Sequence, residues 1–191
     1  MKKPIVLMML VNIYSSVVIA QNDSSGIYKT ADDFAVRKLS FAINCQTEKH
    51  KIYLNDFFNK PYITVKHDDS TYKIYRKDIY GYHFCNGETY RIVNRHDLRV
   101  LNPDEYIIIY KNSWNRPSAG AKTNVTNYYF SKGAHSPVQS LTFKNLKKAF
   151  SDNQKFYQEV GSMFKYNTEL ATYDNQHKIF VINWIYKQSL E

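Results

Sequence analysis

The chain is poor in the residues and motifs that most often announce a chemistry. Of its 191 residues, two are cysteine, six glycine, five proline and two tryptophan. Two cysteines permit one disulfide at most, and they leave no second spaced pair for a structural zinc. No phosphate-cradling P-loop, GxSxG elbow, HExxH helix or dinucleotide-binding glycine pattern occurs, so these chemistries lack their usual sequence carriers. His67-Asp68-Asp69 and Arg95-His96-Asp97 put imidazole and carboxylate on turns, but a calcium loop needs more oxygen ligands at regular offsets. No metal and no cofactor is expected. The cations are scattered: no basic run exceeds two residues, as at Lys147-Lys148, and there is no arginine-rich patch. Nucleic acid is therefore not an expected partner. Beyond the first twenty residues, no apolar run approaches the roughly eighteen residues that a spanning helix needs.

What is present begins with the layout of a secretory signal peptide over residues 1–20. Lys2 and Lys3 form a basic start. An apolar stretch runs from Ile5 to Val11 and continues, interrupted at Asn12, Ser15 and Ser16, to Ala20. The polar run Gln21–Ser25 follows. The interruptions make it a poor membrane anchor. The expected mature chain is exported, periplasmic or extracellular, with no stable membrane insertion after cleavage. Loss of Lys2 and Lys3 lowers its formal net charge from +9 to +7. In an oxidising compartment, Cys45 and Cys85 are candidates for a disulfide closing a loop of about forty residues, worth about 3–4 kcal/mol on the chain-entropy model. Two buried thiols, or one reactive thiol, are the alternatives.

Residues 21–111 read as an antiparallel β domain with a short N-terminal helix. Thr30 can cap the amide of Asp33, and Asp32 and Asp33 sit in the first turn, where the helix dipole favours them. Short strands then recur about every ten residues: Leu39–Cys45, His50–Leu54, Pro61–Lys66, Thr71–Lys77, Ile79–Cys85, Glu88–Val93, Leu98–Leu101 and Tyr106–Tyr110. Turn chemistry separates them, which argues for an antiparallel meander folded as an open barrel or a sandwich. Residues 112–140 carry Pro117, Gly120, Gly133 and Pro137 with little periodicity apart from Tyr128-Tyr129-Phe130, and read as a loop or linker; a loop of this length is uncommon in a compact domain, so it is either a functional surface loop or a sign of a missed strand. From Leu141 the period is helical: Phe143, Leu146, Phe150, Tyr157, Val160 and Phe164 share one face, with a break near Ser151–Gln154. Residues 178–187 are apolar on every side, so period does not separate helix from strand there; the helical neighbours favour a terminal helix. The fold class expected is α+β, with residues 141–191 as helices packed on the sheet.

The clearest local signal is Tyr72–Val93, a hairpin with Asn86-Gly87 at a two-residue type I′ turn. That turn pairs Phe84 with Thr89, His83 with Tyr90, Tyr82 with Arg91 and Gly81 with Ile92. One face then carries Tyr80, Tyr82 and Arg91, which suits an ordinary sheet surface covered by a helix and is also a candidate exposed cation–π row for a sugar ring or an extended peptide. The other carries His83 and Cys85, a candidate thiol–imidazole pair. The seventeen tyrosines fit either a sugar-stacking surface or a protein interface.

The opening Gly26-Ile27-Tyr28-Lys29-Thr30-Ala31-Asp32-Asp33-Phe34, with Asp78-Ile79-Tyr80-Gly81-Tyr82 and then Tyr90-Arg91, resembles small exported proteins of Gram-negative bacteria that have no assigned activity. The resemblance covers residues 26–112. It implies export and a β-rich core, and it supplies no site residues. The function expected from the sequence is a non-catalytic envelope or secreted module that binds a protein or glycan. The alternative is a hydrolase or thiol enzyme acting on envelope material.

Overall fold

The computed structural model describes residues 24–48, 52–54, 60–94, 96–118 and 121–191. The expected signal peptide at 1–20 lies outside the described residues. In chain order the sheet-forming elements are β1 (Ser24–Tyr28), β2 (Ser40–Asn44), β3 (Ile52–Tyr53), β4 (Tyr62–His67), β5 (Ser70–Tyr75), β6 (Gly81–His83), β7 (Thr89–Val93), β8 (His96–Val100), β9 (Ile107–Ser118), β10 (Ala121–Lys132), β11 (Gln139–Ser140), β12 (Tyr173–Asp174) and β13 (Ile179–Phe180). Helix α1 (Ala31–Ala35) precedes β2. Helices α2 (Phe143–Ala149), α3 (Gln154–Met163) and α4 (Val181–Gln188) follow β11. The class is α+β. Eight antiparallel strands form one open sheet in the order β11-β10-β9-β8-β7-β6-β1-β2, and β3-β4-β5 form a second; no closed barrel occurs among the described residues.

Strand alternation divides the large sheet into two buried faces. Tyr82 pairs with Tyr90, and Ile109 with Phe130, so their side chains fall on the same side as Ile27 and Ile107. That face is covered twice. Ile52, Ile63 and Val65 of the small sheet close over Ile27, Ile79 and Tyr82. The C-terminal helices close over Ile107, Ile109 and Phe130 with Leu146, Phe150, Phe156, Val160, Ile182 and Ile185. The opposite face carries Tyr28, Leu98, Val100, Ile108 and Tyr110, under Phe34 of α1 and Ala134. Each fully buried side chain of this size contributes about 1.5–3 kcal/mol through removal of apolar surface from water.

Local chemistry explains the helix ends. Thr30 Oγ1 accepts from the Asp33 amide at 3.0 Å and Asp33 Oδ2 accepts from the Thr30 amide at 3.1 Å, a reciprocal cap for α1. Asn153 Oδ1 accepts from the Phe156 amide at 2.9 Å and starts α3, inside the break expected at Ser151–Gln154. Residues 178–187 resolve into a two-residue strand, Ile179–Phe180, and the helix α4. Its one polar inward residue, Asn183, is buried and bonded to the sheet. Asn183 Oδ1 accepts from the Ile107 amide at 3.0 Å and its Nδ2 donates to the Ile107 carbonyl at 2.8 Å.

Two expectations are corrected. Residues 112–140 are not a loop or linker: they complete β9, supply β10 and add β11, so the sheet runs straight through Asn112. The hairpin register is also one residue off. Gly81 pairs with Arg91, Tyr82 with Tyr90 and His83 with Thr89. The Phe84 carbonyl accepts from Gly87 at 3.0 Å and Glu88 O accepts from Phe84 N at 2.9 Å. Only Gly87 is left-handed (φ +82°). This is the three-residue loop with a glycine bulge, which inserts one residue relative to a type I′ turn. The true pair of left-handed turn residues is Asp68-Asp69 (φ 47° and 58°), joining β4 to β5.

Candidate functional site

Because side-chain direction has period two, the one-residue shift redistributes the expected row. Tyr82 and Arg91 fall on opposite faces of the sheet, and no Tyr82–Arg91 platform forms. Tyr82 is fully buried. Its ring stacks on Tyr90 at 5.2 Å and meets Phe84 at 4.9 Å, under the small sheet. Its hydroxyl has no hydrogen-bond partner among the described residues. Burial, and then the nearby Asp97 charge, push its ionisation far above the ordinary tyrosine value. Tyr90, half-buried beside it, donates to Glu88 Oε2 at 2.9 Å. Burial and that bond push its hydroxyl up to about 12.

Tyr80 and Arg91 do come together, on the other face. The guanidinium lies 4.7 Å over the Tyr80 ring and 5.6 Å over Tyr110. Its Nη1 donates to Tyr110 Oη at 2.9 Å and Ser131 Oγ at 3.4 Å, and its Nη2 donates to the Ser136 carbonyl at 3.0 Å. The Tyr80 hydroxyl donates to the Ala134 carbonyl at 3.1 Å. Arg91 is half-buried, and no carboxylate pairs with it among the described residues. Two ring faces and three oxygens stand in for a counter-ion. The cluster pins the 133–138 connection onto the sheet, so its donors are spent inside the protein. Gly81 is required by the same geometry: a Cβ there would sit 2.0 Å from the Tyr90 carbonyl oxygen.

On the first face, Arg76 is nearly buried and pairs with both oxygens of Asp97, while its Nη2 donates to the Leu54 carbonyl at 3.0 Å. Beside it a cleft of about 440 Å³ opens between the two sheets, lined by Tyr75, Lys77, Ile79, Ile92 and Asn94. Nothing in the sequence marked Arg76, because a lone arginine between strands looks like any surface cation.

Cys45 and Cys85 are bonded to each other, with Cα atoms 5.5 Å apart. The bond reaches across β1 and ties the end of β2 to the β6–β7 loop. Neither sulfur has a thiol to offer. The candidate thiol–imidazole pair therefore has no nucleophile in this form. His83 is buried instead against Thr89, with Nδ1 2.8 Å from Thr89 Oγ1, and its carbonyl accepts from Ser25 Oγ at 2.7 Å. Burial, and then the Arg37 charge, lower its pKa below the ordinary histidine value. The described residues hold no cluster of three or more metal-ligating side chains.

The remaining feature is the β9–β10 ribbon. Its twelve residue pairs run from Ile107–Lys132 to Ser118–Ala121. β8 joins β9 only at Tyr110 and Lys111, and β11 joins β10 at Tyr129 and Phe130. No third strand pairs with residues 112–118 or 121–125 among the described residues. At about 3.4 Å per residue the unsupported arm is roughly 24 Å long. The composition that disguised it as a loop includes Asn112, Ser113, Asn115, Pro117 and Gly120, all turn-forming residue types.

No helix among the described residues is long and apolar enough to cross a membrane. No protein-family model, curated protein or solved structure matches the chain.

Proposed function

We propose that the protein is an exported, non-catalytic envelope or secreted module that binds a partner through the β9–β10 ribbon. The observation that carries this reading is the ribbon itself, an arm of roughly 24 Å whose backbone edges at residues 112–118 and 121–125 meet no third strand among the described residues. Unpaired strand edges are a template for strand addition, which favours a protein partner with an extended segment over a glycan. Export is supported by the signal-like residues 1–20 and by the Cys45–Cys85 disulfide, a bond that persists in oxidising compartments. The rival, a thiol enzyme, is left without a thiol, because Cys45 and Cys85 are bonded to each other.

The test replaces residues 113–126 with an Asn-Gly turn. Both chains are crosslinked to envelope fractions and applied to an array of envelope glycans. The reading expects a partner captured by the full chain and lost by the shortened one, with the same melting temperature for both. Retention of that partner by the shortened chain overturns it.

A further inference from the structure

We infer that the groove between α2 and α3 is a docking surface for an anionic phospholipid bilayer, distinct from the ribbon. The two helices leave a cleft of about 390 Å³ floored by Phe143, Leu146, Tyr157, Val160 and Phe164. Lys147 and Lys165 form its rim, and Lys144 and Lys148 stand exposed on the outer side of α2. Next to Lys165 at the end of the cleft, Tyr166 is 56% exposed, a high value for a side chain of this size.

Cations outnumber acids around this groove. No aspartate or glutamate occurs between Glu105 and Asp152, while that stretch carries seven lysines and arginines. The nearest acid past α3, Glu169, spends Oε2 on the Lys165 amide at 2.7 Å and the Tyr166 amide at 3.0 Å. Glu159 lies two residues from both Tyr157 and Gly161, which turns it to the opposite side of α3 from the groove.

The floor identifies the occupant. Apart from the Tyr157 hydroxyl, its side chains offer no hydrogen-bonding group, so a polysaccharide would leave its own hydroxyls unsatisfied there. An acyl chain has nothing to satisfy. Lys147 lies 5.3 Å over the Tyr157 ring and Lys165 lies 5.4 Å over Tyr166. Each ammonium thus rests on an aromatic face at the edge of the groove, on a flexible stem long enough to carry it to a headgroup phosphate. An apolar face bordered by lysines, with an aromatic at the rim, is the arrangement of proteins that lie in the bilayer interface without crossing it.

The test is co-sedimentation of the full mature chain with vesicles of phosphatidylcholine containing 30% phosphatidylglycerol, and with pure phosphatidylcholine, at about 0.1 M and 0.5 M salt. Binding is expected to the anionic vesicles alone and to weaken at the higher salt. Each of Lys147→Gln and Lys165→Gln should weaken it about five-fold, and the pair about twenty-five-fold, because each juxtamembrane cation is worth about 1 kcal/mol. Tyr166→Ser should weaken it further at constant charge. The control is Lys66→Gln with Lys73→Gln, two exposed lysines on the small sheet that change net charge equally. Unchanged melting temperatures confirm that every variant is folded. No binding to anionic vesicles, equal binding to neutral ones, or an equal loss in the control pair overturns the inference.

Discussion

Replacing Arg91 by alanine separates a structural arginine from a recognition arginine. On an exposed row, its loss would cost the fold less than about 0.5 kcal/mol, as for most surface substitutions. In the structure its donors reach Tyr110 Oη at 2.9 Å and the Ser136 carbonyl at 3.0 Å. Hydrogen bonds from a charged donor are worth about 1.5–3 kcal/mol each, and stacking over Tyr80 and Tyr110 adds about 1–2 kcal/mol. Because Arg91 is half-buried, water reaches part of the vacated site and recovers about half of that sum. No carboxylate is left stranded. The expected loss is therefore about 3 kcal/mol. With a urea m-value of about 2 kcal/mol/M, the midpoint falls by about 1.5 M at unchanged m. Arg91→Lys keeps the charge but cannot fork between Tyr110 and Ser136, so it should fall between wild type and alanine. A midpoint shift below about 0.25 M for Arg91→Ala would refute the packing assigned to this face.

Gly81→Ala should be among the most damaging single-methyl changes, since the new Cβ meets a partner-strand carbonyl at 2.0 Å. A loss of at least about 3 kcal/mol, or about 6–12 °C in Tm, is expected, and a shift under 3 °C contradicts the pairing. Tyr82→Phe removes a buried hydroxyl that lacks a partner, so thermal unfolding should show a neutral or slightly stabilising change of up to about 1 kcal/mol. A clear loss would mean that Asp97 receives that proton. Cys45→Ser with Cys85→Ser opens a link across 40 residues and should cost about 4 kcal/mol by urea unfolding. His83 is held neutral by burial, so its folded pKa lies below the ordinary 6.5. Its contribution is fully present above pH 6.5 and is lost as pH falls toward the folded value, so His83→Gln should flatten stability against pH below 6.5.

The sequence was most legible where local chemistry decides structure. The Thr30–Asp33 cap, the short-strand series, the Phe143–Phe164 stripe and the Cys45/Cys85 pairing each rest on residues near in sequence or on simple arithmetic. The misreadings have one root, the sensitivity of strands to a single residue. Asn86-Gly87 is compatible with a two-residue turn and with a three-residue loop ending in a left-handed glycine, and these differ by one register step. That step moved Tyr82 into the core beneath the small sheet and left Arg91 with Tyr80 on the other face. Cross-strand contacts at Tyr110, Ser131 and Ser136, far along the chain, decide the outcome, and no local pattern encodes them. The ribbon escaped notice for a related reason. Alternation is a signature of burial, and residues 112–118 and 121–125 pair with each other where no third strand joins them among the described residues.

The most direct test of an exported scaffold stapled across β1 is an intact-mass measurement on protein recovered from the extracytoplasmic fraction, alkylated without reduction. The account predicts a chain that begins at or near Gln21, two hydrogens lighter than the reduced mass and carrying no alkyl group. A full-length chain retained in the cytoplasm, with both cysteines alkylated, would contradict it.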